Sequence, residues 1–299
     1  MVNSVSLKLR EVAEVATTVK WNEPLLKVLE AMVGEGDEGS YRVVVLGPHN
    51  VVEGIITGKV VLEILAGWRA SALRLKVGLK GLLKEPAHVF ANEVHNVLPH
   101  WLSLMQTIKY MLENKLGYVL VVDEHTKLTG IVEEKTLLPY LVGRRYGITV
   151  KKVMKRDLSM ISPDESLKNA LIKMVTRMRR HLPVVRDRKV KGIVTATDIL
   201  STIVDNIDNL NEVLNLSVRK VMESDVTYVA PEDDLGVAIE KLVKEDVSSV
   251  LVLSGDYVEG IITRLDAFLA AANILGASKV SSIIKESFSR SADSCALTR

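Results

Sequence analysis

Between Leu167 and Met178 the apolar residues fall at Leu167, Ala170, Leu171, Met174, Val175 and Met178, the three-four spacing of one buried helical face. Ser162-Pro-Asp-Glu165 precedes them. Ser can cap a helix, Pro fits its first position and Glu can complete a capping box, so the spacing predicts a helix starting at Ser162. Leu182-Pro-Val-Val185 then reads as a short strand, Asp187 to Lys191 as a turn, and Gly192-Ile-Val194 as a second strand. Thr195-Ala-Thr-Asp198 opens a second helix, from Ile199 to about Ile207.

The same order recurs further on, with helical apolar positions Leu235, Ala238, Ile239, Leu242 and Val243, a strand from Val250 to Leu253, then Gly260-Ile-Ile262 and Thr263-Arg-Leu-Asp266. Glycine followed by two aliphatics also stands at Gly54-Ile-Ile56 and Gly130-Ile-Val132, each behind an apolar strand, Val43 to Leu46 and Val119 to Val122. The four glycines lie 76, 62 and 68 residues apart. That period is too long for a helical solenoid and suits a small sheet covered by helices. One such unit has too little core to stand alone, so four units imply two pairs, joined near Arg144 to Ile148. The expected repeats are 7–66, 79–142, 149–207 and 217–272. The segment 276–299, rich in Ser and without sustained periodicity, is expected to be a flexible tail.

Composition agrees with a globular, aliphatic-cored α+β protein: 47% of residues are hydrophobic and 25% charged, but only 4% aromatic. Lys and Arg total 39 against 37 Asp and Glu, so no global field implies a polyanionic partner. The single cysteine, Cys295, has no partner for an internal disulfide, and no stretch approaches the ~18–20 apolar residues of a membrane span. A cytoplasmic, untargeted protein is expected. His49, His88, His95, His100 and His125 form no metal-ligand spacing, and there is no GxxxxGK[ST] loop. Neither catalysis nor a metal nor a catalytic cofactor is expected.

The lead-ins Met154-Lys-Arg-Asp157 and Met222-Glu-Ser-Asp225, with the endings Gly192-Ile-Val-Thr-Ala-Thr-Asp198 and Gly260-Ile-Ile-Thr-Arg-Leu-Asp266, resemble the CBS (cystathionine beta-synthase) domain family. The resemblance runs from about Leu7 to Ala272. It is closest in the third and fourth repeats, less close in the first and weakest in the second. It implies two Bateman modules, each of two repeats paired through small three-stranded sheets with two helices per repeat. Four repeats in one chain are similar to the gamma subunit of AMP-activated protein kinase and to stand-alone prokaryotic four-repeat proteins. The resemblance further implies a regulatory, non-enzymatic protein whose clefts take an adenosine nucleotide: AMP first, with ADP or ATP as alternatives. Asp198 and Asp266 would meet ribose, and Thr195 and Thr263 phosphate, with Thr197 and Arg264 beside them. Backbone groups at Ser159, Met160 and Ile161, and at Thr227, Tyr228 and Val229, would meet adenine. Arg180 and His181, followed by Pro183, resemble phosphate contacts, with Ser248 and Ser249 as their counterparts.

The chemistry points the same way without the name. A carboxylate can accept from both hydroxyls of a cis-diol, and a helix N-terminus attracts phosphate. From Arg177 to Lys191 seven cations face the single acid Asp187. The N-terminal half lacks the ribose carboxylate, with Val60 and Thr136 in its place, and Glu133 would repel phosphate. Arg42, aligned with Arg180, leaves an argument for a residual anion site in the first repeat. Two other readings stand beside this one. Thr195, Asp198, Thr263 and Asp266 are also preferred helix-capping residues, which allows a ligand-free scaffold or interaction protein. The basic segment 177–191 allows a nucleic-acid-binding regulator, the less favoured partner. A regulated partner protein or a homodimer would be the listener; no membrane is implied.

Overall fold

The computed structural model describes residues 6–34 and 40–296, with side chains as far as Arg290. One motif is built four times. The first copy comprises β1 (Thr18–Lys20), α1 (Leu25–Val33), β2 (Arg42–Leu46), β3 (Val52–Thr57) and α2 (Gly58–Ala66), followed by an inserted helix α3 (Ser71–Leu82). The second has β4 (Val97–Pro99), α4 (Leu104–Asn114), β5 (Tyr118–Val122), β6 (Leu128–Glu133) and a one-turn α5 (Glu134–Leu137). A short α6 (Val150–Val153) leads into the third: α7 (Leu167–Thr176), β7 (His181–Arg186), β8 (Lys189–Thr195), α8 (Ala196–Asp205) and α9 (Leu210–Asn215). The fourth has β9 (Tyr228–Val229), α10 (Leu235–Lys244), β10 (Ser249–Ser254), β11 (Tyr257–Thr263) and α11 (Arg264–Leu275), and the chain continues as α12 (Ala277–Ala296).

In each sheet the middle strand pairs parallel with the strand before the helix and antiparallel with the strand after it. In the third repeat the first strand shrinks to one parallel bridge, Ile161 to Val184. Helix α7 starts at Leu167, capped by Ser166, whose hydroxyl accepts from Asn169 N. The expected start at Ser162 is a turn instead: Glu165 folds back to accept from Ser162 N, so the local box forms but a helix does not follow until the next cap.

The four glycines occupy one structural station. Each pairs with a middle-strand residue beside a bulge on the glycine's own strand: Val45 with Gly54, Val121 with Gly130, Val184 with Gly192 and Val252 with Gly260. The lead-in of the partner repeat crosses directly over it. A Cβ on Gly130 would stand 2.6 Å from Glu14 O, and one on Gly192 2.5 Å from Glu223 O. Beside each glycine the crossing is pinned by a two-residue bridge, Glu14 to Ile131, Asn92 to Ile55, Lys155 to Ile261 and Glu223 to Ile193. The lead-ins are therefore exchanged within each pair. Leu9 and Val12 pack with the second repeat's Leu104 and Ile108, and Ala87 and Phe90 with the first repeat's Leu25 and Leu29. Val150 and Met154 join the fourth repeat's Ile239, and Val218 the third repeat's Leu171.

Two kinds of seam close the four repeats together. Sheets pair within each half, through Val44, Leu120 and Ile131, and through Leu251, Ile261 and Ile193. Helices pair across the halves, α1 and α2 against α8 and α7, and α11 against α4 and α5. The two large cores thus each draw on both halves of the chain. The segment expected to be a flexible tail is instead α12, packed on α4 and α11 with Val280, Ile283 and Ile284 buried. The one-turn α5 ends where Pro139 enters a 3-10 turn, Leu138–Leu141, because proline cannot continue a helix interior. Helix α12 covers the apolar surface beside that short element. Residues 297–299 and the side chain of Cys295 lie outside the description.

Gly192→Ala is expected to destabilise the chain by about 1–3 kcal/mol, the usual cost of forcing one carbon into a filled site, with no change in cleft chemistry. Urea unfolding checks this; an unchanged midpoint would mean that the Glu223 lead-in can move aside.

Candidate ligand-binding site

The first N–H of the second helix in each repeat donates to the carbonyl of the residue preceding the middle strand: Gly58 to Tyr41, Glu134 to Gly117, Ala196 to Arg180 and Arg264 to Ser248. These four equivalent corners converge on a cavity of about 340 Å³ to which all four repeats contribute, including Tyr41, Arg42, Glu133, Glu134, Lys135, Arg180, Thr197, Asp246, Ser248, Thr263 and Arg264. The register corrects one alignment. Arg42 pairs with Thr57 as His181 pairs with Thr195, so the counterpart of Arg180 is Tyr41, one residue earlier.

That shift changes the reading of the N-terminal half. Arg42 reaches across Gly117 to Glu133 and Glu134, the latter at 3.1 Å. Burial opposes its charge, but Glu134 and Glu133 outweigh the burial and hold the guanidinium above its usual range. With its charge answered by two carboxylates, Arg42 is no residual anion site. Tyr41 lies under Arg180, whose guanidinium carbon is 4.5 Å from the ring centroid, and its hydroxyl accepts from Thr197 N at 3.0 Å, capping α8 from another repeat.

Among the described residues that line the cavity there are four cations and three carboxylates. Arg42 is paired as described, Lys135 lies 3.4 Å from Glu133, and Arg264 is paired with Asp246. Arg180 is left: among the described residues no carboxylate is bonded to it. Burial, reinforced by Arg42 and countered by Tyr41 and Glu134, lowers its pKa, yet a guanidinium stays charged. The described lining therefore carries one positive charge that no carboxylate within it answers.

Next to it His181 is buried, its Nε2 2.8 Å from Ser248 Oγ. Burial, with Arg180 and Lys155 adding to it, pushes the ring pKa down to about 3, so His181 is neutral. Ser249 is buried behind it. The Thr and Asp pairs form complete capping boxes. Asp198 Oδ2 accepts from Thr195 N at 2.7 Å and from Thr195 Oγ1 at 2.9 Å. Asp266 Oδ2 accepts from Thr263 N at 3.1 Å and from Thr263 Oγ1 at 2.6 Å. Burial, aided by Glu223 and opposed by the Thr195 bonds, raises the Asp198 carboxyl above its usual range.

Of the residues singled out in the sequence, Arg180, Thr197, Ser248, Thr263 and Arg264 meet in the cavity, and His181 bonds to its wall. Thr195, Asp198 and Asp266 stand at the helix starts beside it. The segments Ser159 to Ile161 and Thr227 to Val229 are not part of its lining. Ile161 spends both backbone groups on β7, donating to Pro183 O and accepting from Val185 N. Met160 and Tyr228 are exposed, with Lys241 Nζ 5.0 Å from the Tyr228 ring centroid. Thr227 bonds to Glu245. Sequence reasoning missed Tyr41, Glu134, Asp246, Lys155 and Glu223. The last two follow Met154 and Met222 in quoted motifs, but their place over the partner's cleft depends on the lead-in exchange. The basic segment is also less bare than its own stretch of sequence suggests, since Arg179 pairs with Asp157, Arg186 with Asp164 and Lys189 with Asp256. Among the described residues no helix is by itself long and apolar enough to cross a membrane, and no group of three His, Cys, Asp or Glu could hold a metal ion.

The profile of the CBS domain matches residues 91–143, 150–205 and 218–273. The second repeat is thus recognised, whereas the first, read from its motif as the closer of the N-terminal two, is not among the matched segments. A 33.4 kDa protein encoded in a ribosomal RNA operon of Thermofilum pendens is 26% identical over 271 residues, 84% of this chain and 87% of that one. Protein MJ1225 of Methanocaldococcus jannaschii is 25% identical over 244 residues, 77% of this chain and 87% of that one. Its crystal structure, described as that of a candidate archaeal homologue of γ-AMPK, superposes with a TM-score of 0.77 at 22% identity, covering 88% of this chain and 99% of the other. A conserved protein of Pyrococcus horikoshii superposes with a TM-score of 0.55 at 20% identity, over 89% and 100% of the two chains. At these identities the structural likeness shows the fold.

The neutral burial of His181 carries a pH signature. An unfolded histidine takes up a proton near pH 6.5, whereas the folded ring does so only near 3. Its contribution is intact above about pH 6.5 and is lost as the pH falls toward 3, amounting to about 2–3 kcal/mol at pH 4.5. His181→Gln should flatten that part of the decline in urea titrations between pH 7 and 4.5. Equal slopes in both proteins would mean that the ring is solvated.

Proposed function

Because the chain belongs to the CBS domain family, we propose that it is a regulatory rather than catalytic protein of the cytoplasm that binds an adenine nucleotide in its C-terminal pair of repeats, AMP before ADP or ATP. The observation that carries this reading is Arg180, whose charge has no carboxylate partner among the described residues and borders the cavity shared by all four repeats. A buried or half-buried cation without a counterion favours an anionic ligand. The starts of α8 and α11 lie at the same cavity through Thr197, Thr263 and Arg264, and helix starts favour phosphate.

In this reading phosphate lies by Arg180 with Thr195 or Thr263, and ribose hydroxyls donate to Asp198, whose Oδ1 has no hydrogen bond among the described residues. Ser159 and Met160 remain the backbone candidates for adenine in the third repeat, and Thr227 to Val229 in the fourth. Ser249 supports the wall from behind, and Pro183 fixes Ile161. The N-terminal pair is structural: Val60 and Thr136 cannot replace a carboxylate, and Arg42 is neutralised. A phosphate at the cavity touches elements of both halves, so binding can favour one relative placement of the modules over another to the extent that affinity differs between them. The relative described as a candidate archaeal homologue of γ-AMPK supports a sensing role of this kind. A partner protein or a second copy of the chain would read that placement. A ligand-free scaffold is the competing reading, favoured by the complete capping boxes at Thr195 and Thr263, which account for those residues without any ligand.

Calorimetry on the full-length chain separates the two. AMP is expected to bind, and Asp198→Ala to weaken it roughly ten- to a hundredfold, the worth of hydrogen bonds to a charged group at about 1.5–3 kcal/mol. Arg180→Gln should weaken AMP while leaving adenosine nearly unchanged. If AMP, ADP and ATP all fail to bind at millimolar concentration, the scaffold reading holds; if Asp198→Ala leaves the isotherm unchanged, Asp198 is only a cap.

A further inference from the structure

The two strand-to-helix corners that carry Asp198 and Asp266, each the start of a cleft in the nucleotide reading, are built alike but do not carry the same charge. Lys155 and Glu223 occupy equivalent stations in the exchanged lead-ins. Lys155 N donates to Ile261 O at 2.9 Å and Lys155 O accepts from Ile261 N at 3.1 Å; Glu223 makes the same two bonds with Ile193, both at 2.9 Å. Each station faces the carboxylate of the partner repeat. At Asp266 the facing group is an ammonium: Lys155 Nζ lies 2.7 Å from Oδ1. At Asp198 it is the carboxylate of Glu223, which acts on Asp198 as a like charge.

The consequence for a diol follows from the acceptor count. Oδ2 of both Asp residues is already bonded to its threonine, so Oδ1 is the oxygen left for a ribose hydroxyl. In Asp198 that oxygen has no hydrogen bond or ion pair among the described residues. In Asp266 it is held by Lys155. An ammonium supplies only donors, so it takes one of the two lone pairs of Oδ1 and leaves one for two hydroxyls; the cis-diol can be held in full only once the lysine has moved.

We propose that Lys155 is a tethered occupant of the Asp266 cleft, so that the chain fills its two clefts in a fixed order, Asp198 first and Asp266 only once the lysine is displaced. This rests on the nucleotide reading above and adds to it which cleft is used. The Lys155 side chain is 47% exposed, so it has room to swing away, and its removal leaves the buried wall of the cleft in place. Among the four stations, occupied by Glu14, Asn92, Lys155 and Glu223, Lys155 alone is cationic, which makes the plug a property of this one cleft.

The test is a calorimetric titration of the full-length chain with AMP, comparing the natural protein with Lys155→Met, which keeps the apolar stem, and Lys155→Gln, which keeps a polar end. The natural protein is expected to show one strong site, with any second site at least tenfold weaker. Both variants should show two sites of similar affinity, and the added site should bind 2'-deoxy-AMP at least tenfold more weakly than AMP, as a ribose contact requires. Two equal sites in the natural protein would overturn this inference and leave the nucleotide reading intact. So would variants with unchanged stoichiometry, or an added site indifferent to the 2'-hydroxyl. No binding by any of the three proteins would remove the nucleotide reading and this inference together.

Discussion

Where a lead-in passes over its partner's glycine there is no room for a single carbon: the carbonyls of Glu14, Asn92 and Glu223 close over three of the glycines, and the Met154 side chain over Gly260. That close approach, made four times with the same bridge beside it, explains why the repeats exist in pairs. A lead-in contributes its apolar residues to the neighbour's core, so neither repeat owns a complete interior. Leu9 is fully buried, but among residues of the second repeat. The bulge next to each glycine lies on the glycine's own strand, where Glu53, Thr129, Lys191 and Glu259 have no partner in the ladder, and a bulge with its unpaired residue suits a crossing chain. Removing one lead-in would open a core elsewhere in the sequence.

The crossing also decides what faces each cleft. Because lead-ins are exchanged, the side chain opposite a given aspartate comes from the other repeat of the pair, and the two clefts can differ while their frames stay alike. The helical seams do the same at larger scale. Tyr41 from the first repeat caps α8 and supports Arg180 in the third, while Arg42 spends its charge on Glu133 and Glu134 in the second. The N-terminal pair thus supplies a neutralised wall, and the C-terminal pair supplies Arg180, the cavity cation to which no carboxylate is bonded among the described residues.

Strand, glycine and helix order were legible because each rests on local periodicity and turn chemistry, and Thr195 and Thr263 did cap their helices as their type favours. Cavity residues such as Arg180 and Ser248 were legible through the resemblance to a known family. What the sequence hid was register and long-range exchange. Arg42 looked equivalent to Arg180 because both are arginines before an apolar run, yet the ladder puts them one residue apart, which turns the side chain to the opposite face. Serines masked α12, although Val280, Ile283 and Ile284 keep the three-four spacing of a buried face. Lys155 and Glu223 were in plain view within the lead-ins, and only the exchange gives them their aspartates.

The central claim is that Arg180 and Asp198 mark the two ends of one ligand, phosphate and ribose. A crystal structure of the full-length chain grown with AMP tests it directly. The expected result is density for one nucleotide with its ribose hydroxyls within hydrogen-bond distance of Asp198 and its phosphate within reach of the Arg180 guanidinium. Nucleotide bound with its ribose away from Asp198, or clefts that stay unliganded at saturating AMP, would contradict it.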